Sequence, residues 1–418
     1  MGTAFALAVV GLLSACTGAG EHHGHEAYGS DPSYAYAARV AVAPGEHQEA
    51  VSERHGGDVV VWRGDAGFAI MGFRSAPDGV GSDVVVESNL GSLSAPETAV
   101  AGGFKLWSGG YKLWSGGEAD GGLADNAALW DHIGLPAARD QAPGAGAGVT
   151  VAVLDTGVDL THPALRDALA PASSWYDFVA RDHDPAEVWV DGAENDGYGH
   201  GTAVAGIVAQ VAPAATLLPL RVLGPEGIGD LTDVVEAIDW AVDHGADVIV
   251  LSLGSIDDSA ALRAVAEDAS DRGVIVIASA GNTGDGRVTY PGAIDDDLVM
   301  SVGSVNPFDT KSVFSTYGSH LTLVAPGERV HTAAPGGQQA HWTGTSMSAP
   351  LVAGAIALAL GELGLAGEEA LEALLEVLVD TLVDVDEFEA NRDYGDDLGG
   401  RLDVGAFLAA ALDTDWGD

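Results

Sequence analysis

Val151-Ala152-Val153-Leu154-Asp155-Thr156-Gly157 decides the fold. With Thr150 before it, the stretch is a short apolar, β-branched run that ends in a sharp turn, the pattern of a strand buried on both faces. Thr216 to Val222, Val248 to Ser252, Val274 to Ser279 and Val299 to Val305 repeat that pattern. Thr202 to Gln210, Leu231 to His244, Ser259 to Arg272 and Ser346 to Leu360 read as helices. Strands alternating with helices imply an α/β fold: a mostly parallel sheet with helices on both faces, three layers in all. Sites in such sheets form beyond the carboxyl ends of the strands, where Asp155 falls. The apolar run Leu351 to Leu360 is short for a membrane span and reads as a core helix.

Two more segments complete a chemistry. Gly199-His200-Gly201-Thr202 places an imidazole between glycines at the start of a helix, and Gly344-Thr345-Ser346-Met347-Ser348-Ala349-Pro350 places a hydroxyl at the start of another. A serine hydroxyl is a weak nucleophile until a base takes its proton, and an imidazole needs a carboxylate to orient it. Asp155, His200 and Ser346 supply one group for each role, and the positive end of a helix dipole under Ser346 favours developing negative charge. Taken singly the motifs are weaker. Asp-Thr-Gly also serves aspartic peptidases, which need two carboxylates sharing a proton, and no second Asp-Thr/Ser-Gly occurs in this chain. Ser346 alone reads equally as an N-cap. It is not in a Gly-x-Ser-x-Gly elbow, because position 348 is serine. Together the three point to acyl transfer, with peptide-bond hydrolysis as the leading reaction.

In this order the segments resemble those of subtilisin-like serine peptidases, and the likeness runs from about Leu129 to the end of the chain. The resemblance implies a subtilisin-like catalytic domain over 126–418 and further site residues. Ala278-Ser279-Ala280-Gly281-Asn282-Thr283-Gly284 matches the oxyanion loop, so Asn282 and the Ser346 N–H would share the oxyanion. Ser252-Leu253-Gly254 matches the strand that pairs with substrate backbone, and with Ser279-Ala280-Gly281 it would wall the primary pocket. Gly227-Ile228-Gly229 would flank the substrate on its other side, and Thr289 would lie near the pocket floor. No cofactor is required. Calcium remains an option, but the usual family site is expected to be absent: His162-Pro163-Ala164-Leu165 lacks the family's aspartate, and the loop supplying other ligands is missing before Val211-Ala212-Pro213. The acidic segment Arg181 to Asp196 reads as a solvated loop, so no specific metal is expected.

Upstream lie four regions. Residues 1–16 read as a signal peptide, whose Leu13-Ser14-Ala15-Cys16 ending resembles a bacterial lipobox that would lipidate Cys16. A plain secretory signal is the alternative. Residues 17–33 read as a tether, in which His22, His23 and His25 are a solvated cluster. Residues 34–90 read as a small α+β unit, with strands at Tyr36 to Val42, Val59 to Arg63, Phe68 to Phe73 and Asp83 to Glu87 and a helix at His47 to His55. By position and element order the unit resembles an inhibitory propeptide. Residues 91–125 form a Gly/Ser-rich linker suited to cleavage, carrying the repeat Lys105-Leu106-Trp107-Ser108-Gly109-Gly110 and Lys112-Leu113-Trp114-Ser115-Gly116-Gly117.

The chain has 62 acidic and 17 basic side chains, a net charge of −45, which argues against nucleic acid and anionic membrane surfaces as partners. Contact with a membrane is expected only through a lipid on Cys16. The single cysteine precludes an intramolecular disulfide. The expected product is an exported zymogen, anchored to a bacterial envelope or secreted, acting on proteins and peptides and restrained by its own propeptide. The alternatives are a non-catalytic surface binding protein on the same scaffold, or a peptide ligase or esterase using the same site.

Overall fold

The computed structural model describes residues 34–77, 84–89, 93–94, 126–193 and 195–416. The expected signal peptide with Cys16, the tether with its histidines, and the tryptophan repeat lie outside the described residues.

The N-terminal unit contains β1 (Tyr36–Ala41), α1 (Gln48–His55), β2 (Asp58–Arg63), β3 (Phe68–Phe73) and β4 (Val86–Ser88), in an antiparallel sheet of order β2-β3-β1-β4. Strand alternation gives the sheet two apolar faces. Ala38, Val40, Ala69 and Met71 pack with Val51 of α1, while Ala37, Ile70 and Val61 join the core of the next unit. The α+β expectation for this region is met. The last strand, Val86–Ser88, begins three residues later and ends one residue later than Asp83 to Glu87 suggests.

A short strand β5 (Leu93–Ser94) follows. After it come α2 (Ala127–His132), α3 (Leu135–Gln141), β6 (Thr150–Asp155), β7 (Tyr176–Asp177), α4 (His200–Val211), β8 (Thr216–Arg221), β9 (Ile228–Gly229), α5 (Leu231–Asp243), β10 (Val248–Leu251), α6 (Ala260–Asp271), β11 (Ile275–Ser279) and β12 (Val299–Val305). The chain continues through β13 (Leu323–Pro326), β14 (Val330–Ala334), β15 (Gln338–Trp342), α7 (Thr345–Leu363), α8 (Glu368–Asp380), β16 (Val383–Asp384), β17 (Gly400–Arg401) and α9 (Val404–Asp413). Among the described residues the main sheet has nine strands, in the order β16-β17-β13-β12-β11-β10-β6-β8-β7. All its pairings are parallel except β16 with β17.

The layers follow from the two-residue period of the strands. Val151 and Val153, Val248 and Val250, and Ile275 and Ile277 face one core with α4, α7 and α9. Ala152 and Leu154, Ile249 and Leu251, and Val276 and Ala278 face the other with α5 and α6. The central strands β10, β11 and β12 are buried at every position, which explains the uninterrupted apolar runs in the sequence. Of the described helices, α7 alone is long and apolar enough to cross a membrane, yet 83% of its apolar window is buried in the core. The strand order reverses beside β6, where the chain passes to β8 on one side and later to β10 on the other. That reversal opens a crevice at the carboxyl ends of the strands.

Candidate active site

The three motifs lie at the carboxyl ends of β6 and β10 that bound that crevice: Asp155 is joined to His200, while the Ser346 hydroxyl reaches the Ser252 carbonyl just beyond β10. Asp155 is the last residue of β6, His200 the first of α4 and Ser346 the second of α7. All three are buried. Asp155 Oδ1 accepts hydrogen bonds from the Thr156 N–H and from His200 Nδ1, each at 2.7 Å. Because the backbone of Thr156 can only donate, and an ionised carboxylate only accepts, Nδ1 carries the proton and Nε2 is left as the basic nitrogen. Glycine is required around this pair for steric reasons. Gly199 caps α4 with φ 93°, and a Cβ on Gly201 would lie 2.2 Å from the Gly157 carbonyl oxygen.

Ser346 is placed by a proline. Pro350 lies within α7 and has no N–H to donate to the carbonyl four residues back, which is that of Ser346. The Ser252 hydroxyl donates to that carbonyl instead, at 2.8 Å. In return the Ser346 hydroxyl donates to the Ser252 carbonyl at 3.3 Å, a long bond that is easily exchanged for another. The Ser346 N–H belongs to the first turn of α7, whose donors lack intrahelical acceptors.

Asn282 stands beside the start of α7. Its Oδ1 accepts from the Thr345 N–H at 2.9 Å and from the Thr345 hydroxyl at 3.0 Å. Since a backbone N–H must face the oxygen, the amide orientation is settled and Nδ2 turns the other way. That nitrogen is buried and has no hydrogen-bond partner among the described residues. An unmet buried donor costs about 1–3 kcal/mol, a cost that is accounted for if the donor is reserved for an oxygen formed during a reaction.

The remaining expected site residues fall around these groups. Ser252, Leu253 and Gly254 follow β10, and Ser279, Ala280 and Gly281 end and follow β11. The two segments converge on Thr289. A Cβ on Gly254 would lie 2.6 Å from the Thr289 hydroxyl and one on Gly281 3.0 Å from its methyl, while the hydroxyl donates to the Ser279 and Ala280 carbonyls at 3.3 and 3.2 Å. Gly229 lies in β9, which pairs antiparallel with β5, Leu93 opposite Gly229 and Ser94 opposite Ile228; Gly227 precedes it with φ 79°. His162 is buried, and its Nε2 lies 2.8 Å from the Gln338 carbonyl oxygen.

One participant is not anticipated by the sequence reading. Glu187, in the segment expected to be a solvated loop, turns its carboxylate toward the Gly199 and Thr202 N–H groups at 2.9 and 3.1 Å. Burial pushes this carboxyl up to about 7 against the donors that stabilise its charge. No local signal announces it, because its partners come from two distant segments.

Known peptidases resemble the chain over this region. Residues 146–396 match the profile of the Subtilase family. Subtilisin Savinase of Lederbergia lenta is 40% identical over 235 residues, which cover 53% of this chain and 81% of that protein. The alkaline protease of Shouchella clausii is also 40% identical over 235 residues, covering 57% of its own length. A solved protease structure from Pseudoalteromonas arctica superposes with a TM-score of 0.58 at 29% identity, covering 68% of this chain and 97% of that one.

Proposed function

The chain belongs to the subtilase family of serine peptidases, and on that premise we propose that it is an endopeptidase working through Asp155, His200, Ser346 and Asn282. Its substrates are proteins or peptides. Ser346 Oγ attacks the scissile carbonyl as its proton passes to His200 Nε2, and the Asp155 carboxylate stabilises the imidazolium that forms. The tetrahedral oxygen accepts hydrogen bonds from Asn282 Nδ2 and the Ser346 N–H. Collapse passes the proton to the leaving amine and leaves an acyl-enzyme, which water hydrolyses along the same proton path. The observation that carries this reading is the buried Nδ2 of Asn282 next to the Ser346 helix, which has no hydrogen-bond partner among the described residues. A binding protein would gain nothing from keeping it, and no observation favours a ligase or an esterase. The test is the pair of substitutions at Ser346 and Asn282 argued in the Discussion.

The N-terminal unit acts, on this reading, as the inhibitory propeptide. Arg63 at the end of β2 reaches Asp239 at 2.8 Å and Asp243 at 3.4 Å on α5, and Asp268 at 2.8 Å on α6. Asn89 accepts from the Thr232 N–H at 2.6 Å and Glu87 from the Ala260 N–H at 2.6 Å, so each supplies an acceptor to the first turn of a catalytic-domain helix. Leu93–Ser94 then lies on β9 as an added antiparallel strand, the way an extended substrate would bind. The burial of Ser346 and His200 supports a covered site. Replacing Arg63 by alanine removes the nearer cation from Asp239 and Asp268, leaving them Arg272 at 3.9 and 3.7 Å, and is expected to weaken the cut unit's hold about tenfold, or ~1.4 kcal/mol. In size-exclusion runs at rising salt the cleaved fragment should leave Arg63→Ala protein before it leaves wild type. Equal retention would remove Arg63 from the account.

Thr289 sets the size of the primary pocket. Thr289→Gly removes the side chain that touches both walls, and the ratio of kcat/KM for a phenylalanine over an alanine peptide is expected to rise about tenfold or more. An unchanged ratio would place the pocket elsewhere. The apolar N-terminal run and its Leu13-Ser14-Ala15-Cys16 ending support export, with lipidation of Cys16 as its finer form.

A further inference from the structure

We propose that Glu187 is a positioning residue: its carboxylate fixes the turn after Asp155 and the first turn of the His200 helix relative to each other, and so sets the direction in which the imidazole meets Ser346. The inference rests on the triad reading above.

The argument begins with α4. Its N-cap, Gly199, has no side chain to offer, so the free N–H groups of the first turn need acceptors from elsewhere. Glu187 Oε2 accepts from the Gly199 N–H at 2.9 Å, and Oε1 from the Thr202 N–H at 3.1 Å and the Thr202 hydroxyl at 2.9 Å. The Thr156 hydroxyl donates to both carboxylate oxygens at 3.3 Å and itself accepts from the Gly201 N–H at 3.0 Å. The Thr156 N–H in turn donates to Asp155 Oδ1. One carboxylate therefore ties together the backbone on both sides of the Asp155–His200 hydrogen bond.

The two backbone N–H groups facing Glu187 can only donate, and each of the two threonine hydroxyls already accepts from a backbone N–H, Thr156 from Gly201 and Thr202 from Asp159. The arrangement therefore suits the acceptor-only carboxylate, because an O–H introduced by protonation would have to compete for a hydroxyl oxygen already in use. The titratable groups around it are Asp155 at the end of β6, Asp159 on the turn beyond, and Tyr198 and His200 at the start of α4. Burial works against the charge and the helix N-terminus supports it, so the carboxyl titrates near neutrality, in the same range as an unperturbed imidazole. Two groups, Glu187 and His200, then have to lose a proton for full activity.

The test compares wild type with Glu187→Gln and Glu187→Asp in the full chain, allowed to process as expressed, by kcat, KM and thermal melting from pH 5 to 9. Glu187→Gln is expected to lower kcat about 10²-fold with KM within about twofold, the scale of a misplaced reacting group. The acid limb of log kcat should have a slope approaching about two in wild type and about one in Glu187→Gln, because one of two required deprotonations is removed. Glu187→Asp keeps the charge and should recover part of kcat and the steeper limb. The folded pKa lies above the unfolded value near about 4.5, so this group's contribution to stability is present at low pH and is lost as pH rises toward about 7. The wild-type melting temperature minus that of Glu187→Gln should fall over the same interval. A Gln variant with kcat within twofold of wild type and the same slope would overturn the proposal. So would a loss of kcat fully matched by the unfolded fraction. If wild type itself showed no activity dependent on Ser346, the triad reading would fail; a fully active Glu187→Gln removes only the role of Glu187.

Discussion

Replacing Ser346 with alanine is expected to lower turnover of a peptide substrate about a millionfold, the loss measured for the nucleophile of a subtilisin and carried over to this chain from it. The size follows from what remains. Without the hydroxyl no acyl-enzyme forms, His200 has no proton to accept, and only binding and the oxyanion donors still favour reaction by water. The fold should survive, because among the described residues the hydroxyl makes only the long 3.3 Å bond to the Ser252 carbonyl. Loss of one such bond costs about 0.5–1.5 kcal/mol. The variant should therefore melt within a few degrees of wild type while remaining inactive. It should also stay full length by intact mass while wild type is shortened, if the chain matures by cutting itself. Activity within tenfold of wild type, after contaminating proteases are excluded, would contradict the assignment of the nucleophile.

Asn282→Ala is the second large effect. Removing the amide is expected to lower kcat by about 10²–10³ with little change in KM; this range too comes from the equivalent subtilisin asparagine. KM is spared because the ground-state carbonyl barely uses this donor, whereas the tetrahedral oxygen uses it fully. The stability effect separates this role from a structural one. Alanine removes a buried donor without a partner, which is favourable, and also the acceptor of the Thr345 N–H and hydroxyl, which is not. Asn282→Asp supplies the complementary control: it keeps the acceptor for Thr345 and replaces the donor by an oxygen, so it should be at least as impaired as alanine in kcat. If either variant raised KM in proportion and left kcat alone, Asn282 would be a substrate-binding group and not an oxyanion donor.

The parts of this architecture that are legible in the sequence are those whose signal is local. Val151 to Gly157 carries its own evidence, because a strand buried on both faces must be apolar throughout and must turn sharply where it leaves the sheet. The expected strand Val299 to Val305 coincides with β12, and the helix at Ser346 begins one residue early and ends three residues late. The reading stops short of α8, although Leu371, Leu374, Leu375 and Leu378 repeat at helical spacing and are all buried. The hairpin of β14 and β15 is harder to read, since Gln338-Gln339-Ala340-His341-Trp342 lacks a β-branched run and owes its pairing to Val330–Ala334 across the turn.

Within the site the same division holds. Asp155, His200, Ser346 and Asn282 announce themselves through adjacent glycines, turns and helix starts. Ser252 and Pro350 lie far apart in the chain, and only the fold reveals that the proline leaves the Ser346 carbonyl free for the Ser252 hydroxyl. Glu187 is the extreme case. A carboxylate in an acidic stretch reads as solvated, and its meaning depends on four donors delivered by the Thr156 turn and the first turn of α4. Positioning groups of this kind are defined by what converges on them, a property that no single stretch of sequence contains.

The central claim is that Asp155, His200 and Ser346 form a working proton path to one activated hydroxyl. It is tested most directly by exposing the processed protein to a fluorophosphonate and mapping the adduct by peptide mass. The account predicts a single adduct on Ser346, formed rapidly in wild type and slowed by orders of magnitude in His200→Ala. An adduct on another residue, or labelling of Ser346 that proceeds equally fast without His200, would contradict it.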